Sequence, residues 1–213
     1  MGFDSWRAAI GAILLLGSPA LAAPPAVSER YPAASGFETI ETSVGPDGVS
    51  TTTLSRTTCT RNGVVEKCII EAVTGKPFKQ SSESTLDERG IWSRGTANDG
   101  GMKVTFEPAV LTFPSDARPG SEWRAEFDET MTMPDGPPVK RRSIRESVAV
   151  ATERCPKGRA GLLVKTTKTT DGALRMKSES LFCTGLPAPY AVDVELFRDG
   201  KRSHTISSRP TSP

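Results

Sequence analysis

Cysteines are the residues of this sequence with the most chemistry to offer. Four are present: Cys59, Cys68, Cys155 and Cys183. Thiolates bind metals or act as nucleophiles, but no pair has Cys-x-x-Cys spacing, and His204 is the only histidine available as a further ligand. An even number of cysteines in an exported chain is typical of structural disulfides. We therefore predict two disulfides, no metal site and no cofactor.

Catalytic motifs are absent from the sequence. It contains no Gly-x-Ser-x-Gly elbow, no Ser-x-x-Lys, no glycine-rich phosphate loop and no His-Glu-x-x-His. A Ser-His-Asp triad would need His204, which we place exposed on the last strand. Carboxylates are numerous, so a glycoside hydrolase with an Asp/Glu pair is the alternative, although amphipathic aromatic residues for a sugar cleft are few. We assign no catalytic residue and favour a protein that is not an enzyme.

One basic cluster, Lys140-Arg141-Arg142 with Arg145, lies inside a predicted strand. The formal net charge of the chain is only +2, so the charge balance implies neither nucleic acid nor an acidic surface as a partner. We interpret the cluster as a solvent-exposed strand face rather than a phosphate site.

Turn dipeptides give the clearest structural signal. Asp and Asn tolerate a positive φ and Gly adopts it freely, so Asp-Gly and Asn-Gly are typical of tight hairpins. Six such pairs begin at residues 47, 62, 99, 135, 171 and 199, and the last four alternate with proline-containing loops at 114–120, 155–158 and 185–189. This alternation predicts an up-and-down meander with Asp-Gly turns on one rim and proline loops on the other.

Between the turns, apolar and polar residues alternate with a period of two, which is typical of strands with one face on a core. The pattern predicts ten to twelve strands, and we place Trp123, Phe127, Phe106 and Val194 in the core. The predicted outer face carries Arg175, Lys177, Glu179, Asp193 and Glu195, which disfavours a lipid-facing barrel.

The fold class follows from the length and order of these strands. Long antiparallel strands in one meander favour closure, because open sheet edges are prone to pairing with other chains. We predict an all-β fold with an antiparallel up-and-down meander that forms a barrel or half-barrel, and a β-sandwich is the alternative.

The meander also predicts how the cysteines pair. Cys155 and Cys183 lie on the rim of the proline loops, and Cys59 and Cys68 flank the Asn62-Gly63 turn, which predicts the pairs Cys59–Cys68 and Cys155–Cys183. A two-residue turn at Asn62-Gly63 would place Cys59 opposite Glu66, whereas a turn centred on Gly63-Val64 would pair Cys59 with Cys68 directly. The sequence leaves that register open.

The N-terminus has the pattern of a secretory signal peptide. Arg7 precedes a short apolar run at 8–16, and the small residues Ala20 and Ala22 predict cleavage before Ala23. The run is too short to span a bilayer, which needs about 20 apolar residues. We divide the chain into a signal peptide (1–22), a flexible leader (23–35), a single all-β domain (36–207) and a polar tail (208–213), and predict a periplasmic or secreted protein without a transmembrane segment in the mature chain.

The segment from Leu111 to Trp123 has an apolar strand that ends in proline, a short loop, Gly-x-x-Trp and then a long alternating strand. This order resembles a segment of exported bacterial β-rich domains of unknown function, among which are the TapB-like domains. The resemblance implies an envelope domain with no assigned enzyme activity.

We therefore expect an exported envelope protein that acts as a binding or structural module, with an apolar ligand or another envelope protein as its partner. The interior of the fold discriminates between the alternatives. An apolar cavity would favour an apolar ligand, a cleft with two carboxylates about 5–10 Å apart would favour a hydrolase, and a filled core would favour a structural role.

Overall fold

A computed structural model describes residues 34–75, 77–155, 160–183 and 189–211. These residues form a closed antiparallel barrel of twelve strands, in which each strand lies beside its neighbours in sequence and the last pairs with the first. The predicted meander barrel is therefore confirmed. The strands are β1 (Ala34–Val44), β2 (Ser50–Asn62), β3 (Val65–Ala72), β4 (Lys79–Asp87), β5 (Gly90–Asn98), β6 (Lys103–Pro114), β7 (Glu122–Thr132), β8 (Val139–Arg154), β9 (Ala160–Thr170), β10 (Ala173–Cys183), β11 (Ala191–Arg198) and β12 (Lys201–Pro210).

The barrel extends beyond the predicted domain of 36–207 at both ends. Strand β1 begins at Ala34, and β12 ends at Pro210, after which the Thr211 amide donates a hydrogen bond to the Glu38 carbonyl. The predicted signal peptide and most of the predicted leader lie outside the described residues. Across the part of the chain that is described, no helix is long and apolar enough to cross a membrane.

The strand connections alternate between two rims, as predicted. One rim, here the Asp-Gly rim, carries the turns at Asp47-Gly48, Asp99-Gly100, Asp135-Gly136, Asp171-Gly172 and Asp199-Gly200. In two of these turns both residues have a positive φ, 50° and 75° at 171–172 and 50° and 74° at 199–200, which suits a two-residue hairpin. The opposite rim, here the proline rim, carries the connections that follow β6, β8 and β10.

The turn predicted at Asn62-Gly63 is shifted by one residue. Asn62 is the last residue of β2 and pairs with Val65, so Gly63 and Val64 form the turn. It lies on the proline rim. This register places Cys59 directly opposite Cys68.

Both predicted disulfides are confirmed. The Cα atoms of Cys59 and Cys68 are 4.0 Å apart, and those of Cys155 and Cys183 are 5.8 Å apart. Cys183 pairs in the sheet with Gly161 of β9, and a Cβ atom at Gly161 would collide with the Cys155 sulfur. Glycine therefore leaves the space that lets Cys155 cross over β9. Two disulfides favour an oxidising compartment outside the cytoplasm.

Apolar side chains fill the interior near the proline rim. The cluster, here the proline-rim core, contains Phe113, Ala149, Leu162, Val164 and Phe182, with Ile91, Ala117 and Trp123 packed against it. The ring centroids of Phe113 and Phe182 are 4.6 Å apart. Full burial of each such ring contributes about 1.5–3 kcal/mol, so this end supplies much of the apolar stabilisation.

Charged side chains cover the outer face of the barrel and pair across neighbouring strands. On β7 and β8, Arg142 lies 3.1 Å from Glu126 and 3.5 Å from Asp128, and Lys140 lies 2.8 Å from Asp128. Similar pairs follow around the barrel: Arg56–Glu38, Lys79–Glu71, Arg94–Glu83, Lys165–Glu179, Arg202–Glu195 and Arg209–Asp193. Their abundance makes the outer wall hydrophilic.

Candidate functional site

The interior near the Asp-Gly rim differs in character from the proline-rim core. It contains a cavity of about 180 Å³, here the rim cavity, lined by Glu129, Met131, Val139, Arg141, Lys168, Thr170 and Arg175. Most of these side chains are charged or polar. A concave space with convergent polar groups is the usual form of a small-molecule site.

Strand register brings these side chains together. Glu129 on β7 is directly opposite Arg141 on β8, and Lys168 on β9 is opposite both Arg145 on β8 and Met176 on β10. Directly paired residues share one face of a sheet. Since Ser143, between Arg141 and Arg145, is fully buried, that shared face is the interior one.

Glu129 is the carboxylate of the rim cavity, and it already has partners. The Lys168 ammonium lies 2.6 Å from it, and the Ser143 hydroxyl donates to it at 3.0 Å. Ser143 also shares a 2.9 Å hydrogen bond with Thr170. The Lys168 ammonium lies 6.0 Å from the centroid of the Phe127 ring. One cation of the cavity is therefore neutralised.

Arg145 lies on β8 opposite Lys168, is not among the residues that line the rim cavity, and has no carboxylate partner among the described residues. Its Nε is buried without a hydrogen-bond acceptor, and the described residues give its guanidinium a single polar contact, a 3.4 Å hydrogen bond from Nη1 to the Thr112 hydroxyl. Burial lowers the pKa of Arg145 to about 10. A buried guanidinium without a carboxylate partner is costly, because its hydration is lost and no ion pair replaces it.

Arg175 is a second unmatched cation, and its placement corrects the sequence prediction. The predicted outer face included Arg175, but the strand register shifts between Leu174 and Met176. Leu174 then pairs with Thr169, and Arg175 lines the rim cavity, where its Nε is buried with no partner among the described residues. A one-residue irregularity moves a side chain to the other face of a strand.

The basic cluster of β8 divides between the two faces. Lys140 and Arg142 face outward and form the ion pairs described above, as the predicted solvent-exposed face requires. Arg141 and Arg145 belong to the interior face, so that interpretation is wrong for Arg145. Arg141 and Arg145 are each two residues from Ser143 and so share its face of the strand, but the sequence alone does not show that this face is the interior one.

The residues predicted for the core occupy different depths. Phe127 is buried, with the Phe106 ring 5.4 Å away in an edge-on arrangement. Trp123 is partly buried against the proline-rim core, and Val194 is partly buried on β11. His204 is exposed on β12.

Interior carboxylates outside the rim cavity do not form a catalytic pair. Glu41 on β1 has the hydroxyl residues Thr53 and Ser208 as its register partners, and burial raises its pKa. Glu66 on β3 forms a 3.0 Å ion pair with Arg61, and both side chains are about one-tenth exposed, at 8% and 10%. The pKa of Glu41 is therefore raised, as a general acid requires, but within the described register no second carboxylate lies opposite it.

One grouping among the described residues has the composition of a metal site. The sulfurs of Cys59 and Cys68 and the carboxylate of Glu66 lie within 4.8 Å of one another. The disulfide consumes both thiolates, so the group offers only the carboxylate as an anionic ligand.

A larger groove of about 760 Å³ runs along the outer face of strands β9 to β12 and β1. Several of its charged side chains form ion pairs, since Lys165 lies 2.8 Å from Glu179, and Arg209, at its border, lies 2.7 Å from Asp193. The Lys177 ammonium lies 5.8 Å from the centroid of the Phe197 ring. The rim cavity is smaller, but it lies inside the barrel, where the buried Nε of Arg175 has no hydrogen-bond partner among the described residues.

No protein-family model matches the chain, and no curated protein or solved structure is significantly similar to it. The resemblance to TapB-like domains stays a prediction. The site is therefore argued from its geometry and charge alone.

Proposed function

We propose that this chain is an exported envelope protein that acts as a binding module and holds a small polar ligand in the rim cavity. Arg175 is the observation that carries the proposal, because it lines the rim cavity and its Nε is buried with no hydrogen-bond partner among the described residues. A buried polar group of a cation without a partner lowers the stability of the fold, and such local exceptions are expected where a ligand supplies the missing contacts.

Export is supported by the disulfides and by the N-terminal pattern at residues 1–22. The ion pairs around the outer face favour an aqueous surrounding over lipid. We expect intact-mass measurement of the exported protein to show the loss of residues 1–22. Recovery of the uncleaved chain from the soluble exported fraction would contradict export by this route.

The charge of the cavity separates this proposal from the other candidates. An apolar ligand fits poorly against Arg141, Lys168 and Arg175, so we replace the predicted apolar ligand with a polar one. A purely structural barrel would gain stability from an apolar or ion-paired residue in place of Arg145. A carboxylate-based hydrolase would need a second carboxylate near Glu41.

Nuclear magnetic resonance with a library of small charged and neutral fragments tests the proposal directly. We expect at least one class of fragment to shift the amide signals of residues 127–131, 141–145 and 166–170, which surround the rim cavity. Shifts confined to the outer groove at residues 177–179 and 193–195, or no specific shifts, would contradict it.

A matched pair of variants locates the binding event. Met131→Trp should narrow the cavity that Met131 lines and weaken fragment binding, whereas Thr130→Trp places the same indole on the outer face and should leave binding unchanged. Glu41→Gln should also leave binding unchanged. Loss of a hydrolytic turnover in Glu41→Gln would instead favour the hydrolase alternative.

A further inference from the structure

We infer that the ligand of the rim cavity is a compact oxyanion with two negative charges, bound between the guanidinium groups of Arg141 on β8 and Arg175 on β10. This inference rests on the proposed function and specifies the charge and the size of the ligand. Phosphate-type and dicarboxylate ligands share this chemistry, and separate probes distinguish them.

The side chains that line the rim cavity carry an excess of positive charge. Arg141, Lys168 and Arg175 are the cations of the lining, and Glu129 is its carboxylate. Lys168 and Glu129 neutralise each other across 2.6 Å. Two positive charges therefore remain, and neither arginine has a carboxylate within ion-pair distance in the described part of the chain. A ligand with two negative charges would neutralise the cavity.

Outer-face neighbours of these arginines do have counter-charges from the chain itself. Arg142, the next residue of β8, has Glu126 at 3.1 Å and Asp128 at 3.5 Å. Lys177, two residues along β10 from Arg175, lies opposite Glu195 in the register. The sheet thus balances its outer cations with carboxylates, whereas the counter-charge of the cavity must come from solvent or from a ligand.

The placement of Arg175 depends on the register shift in β10. Leu174 pairs with Thr169 and Met176 pairs with Lys168, so Arg175 itself has no register partner on β9. Such irregularities are frequent beside functional sites, where they re-aim a side chain. Here the shift brings a guanidinium into the cavity, and burial of its Nε removes hydration that no protein acceptor replaces.

The size of the cavity and the shape of a guanidinium limit the ligand further. Small-molecule pockets usually measure about 300–1,000 Å³, so a cavity of about 180 Å³ suits a compact ligand. Val139, opposite Met131 in the register, is 44% exposed, and Arg141 is exposed, so a ligand can enter from the Asp-Gly rim. Guanidinium groups present parallel N–H groups that match the oxygens of a carboxylate or phosphate, which favours an oxyanion over a halide.

Titration calorimetry of the full exported chain tests the charge of the ligand. The probes are phosphate, sulfate and malonate as dianions, acetate as a monoanion, acetamide as a neutral molecule and ethylammonium as a cation. Ionic strength is held constant with sodium chloride at mildly alkaline pH, where phosphate is mostly a dianion and both arginines stay charged. We expect the tightest dianion to bind about tenfold or more tightly than acetate, because its second charge meets a second unpaired guanidinium. Acetamide and ethylammonium should bind more weakly than acetate.

The other outcomes separate failure of this inference from failure of the proposed function. Acetate as tight as all three dianions would overturn the double charge. Acetamide or ethylammonium as tight as the dianions at the rim cavity would overturn the anion and leave the proposed function standing. No binding by these probes, with fragment shifts still seen at the cavity, would overturn this inference alone. The absence of both would overturn the proposed function as well.

Matched variants on two strands identify the residues responsible. Arg141→Met and Arg175→Met should each weaken the tightest dianion by about tenfold or more, and Arg175→Lys should keep part of the affinity, since it keeps the charge and loses the fork. Arg142→Met and Lys177→Met remove outer-face cations from the same strands and should change the affinity by less than about twofold, because exposed charges act weakly through solvent. Wild-type affinity in Arg141→Met and Arg175→Met, with native amide spectra, would overturn the assignment of these arginines.

Discussion

The two ends of the barrel differ in the side chains that occupy the interior. A barrel of about eight strands is just wide enough for side chains to fill, so twelve strands enclose more space than short side chains occupy. Near the proline rim, Phe113, Trp123 and Phe182 fill that space. Near the Asp-Gly rim it is bordered by hydroxyls and by cations such as Arg175. Stability is concentrated at one end, which leaves the other free to carry charges that a ligand can satisfy.

Two connections at the proline rim contribute directly to the filling of that end. Ala117 in the β6–β7 loop packs against the core, and Cys155 after β8 crosses over Gly161 to reach Cys183. The two-residue turns at Asp171-Gly172 and Asp199-Gly200 on the opposite rim reverse the chain without adding such a loop.

The largest difference between the ends is expected from truncation of a core side chain. Phe113 is 2% exposed and contacts both Phe182 and Trp123, so Phe113→Ala should lower the free energy of unfolding by about 3–5 kcal/mol. Val139→Ala, at the rim cavity, removes a side chain that is 44% exposed and should cost less than about 1 kcal/mol. Urea unfolding measures both, and equal losses would contradict a concentration of apolar packing at the proline rim.

The disulfides should rank by the length of the loop that each closes. Cys155–Cys183 spans 28 residues and Cys59–Cys68 spans 9. In the chain-entropy model these loops correspond to about 3.6 and about 2.6 kcal/mol, so replacement of each pair by alanine should follow that order. Peptide mapping of the unreduced protein checks the connectivity. A greater loss from the shorter loop would show that packing around Cys59, and not chain entropy, sets the effect.

Much of the fold is predictable from local sequence because the turns are strong and evenly placed. Asp171-Gly172 and Asp199-Gly200 specify their hairpins through the φ preference of the two residues. The Gly63-Val64 turn is harder to predict from sequence. The turn could form one residue earlier, and the choice depends on the pairing of Cys59 with Cys68 along the β2–β3 hairpin. Strand order and cysteine pairing therefore follow from sequence, but individual registers do not.

The candidate site is much less predictable, because it depends on the face to which each charged residue belongs. Arg145 and Arg142 lie in one basic run, and composition alone assigns both to solvent. Only the closed barrel shows that Arg145 shares the interior face with Ser143. The face of Arg175 is harder still to predict, because the register shift between Leu174 and Met176 breaks the alternation of inward and outward side chains along β10. Interior charges are exceptions to hydrophobic patterning, so pattern-based reasoning misses them.

Removal of the buried Arg145 guanidinium should stabilise the fold. The pKa of Arg145 falls from 12.5 to about 10, which corresponds to a penalty of about 3 kcal/mol at neutral pH. Arg145→Met keeps much of the side-chain volume, so we expect it to raise the free energy of unfolding by about 1–3 kcal/mol in the absence of ligand. Thermal and urea unfolding measure the change.

The comparison for Arg145→Met is Arg142→Met on the outer face of β8. Arg142 pairs with Glu126 and Asp128 in solvent, so its removal should lower stability slightly or leave it unchanged. A clear destabilisation by Arg145→Met would mean that the folded protein stabilises the guanidinium, and burial would then not be its dominant effect.

The smallest effects are expected from two carboxylates whose pKa values move in opposite directions. Burial raises the pKa of Glu41 on the interior face above its ordinary value of 4.5. On the outer face, hydrogen bonds from Arg209 hold the pKa of Asp193 below its ordinary value of 3.8. The ionised form is therefore unfavourable at Glu41 and favourable at Asp193, relative to the unfolded chain.

Linkage turns these directions into opposite pH dependences. Asp193 contributes stability above about pH 3.8, and that contribution is lost as the pH falls through its lower folded pKa. Asp193→Asn should therefore lower stability at neutral pH by about 0.2–1 kcal/mol, with the loss disappearing in acid.

Glu41 imposes a penalty at neutral pH that is relieved as the pH falls toward 4.5, so Glu41→Gln should raise stability at neutral pH and have little effect in acid. Urea titrations of both variants between about pH 3 and 7 measure these slopes, which follow from the difference in bound protons. Slopes of the same sign would mean that folding lowers the pKa of Glu41, which would contradict burial as the dominant effect on that carboxyl.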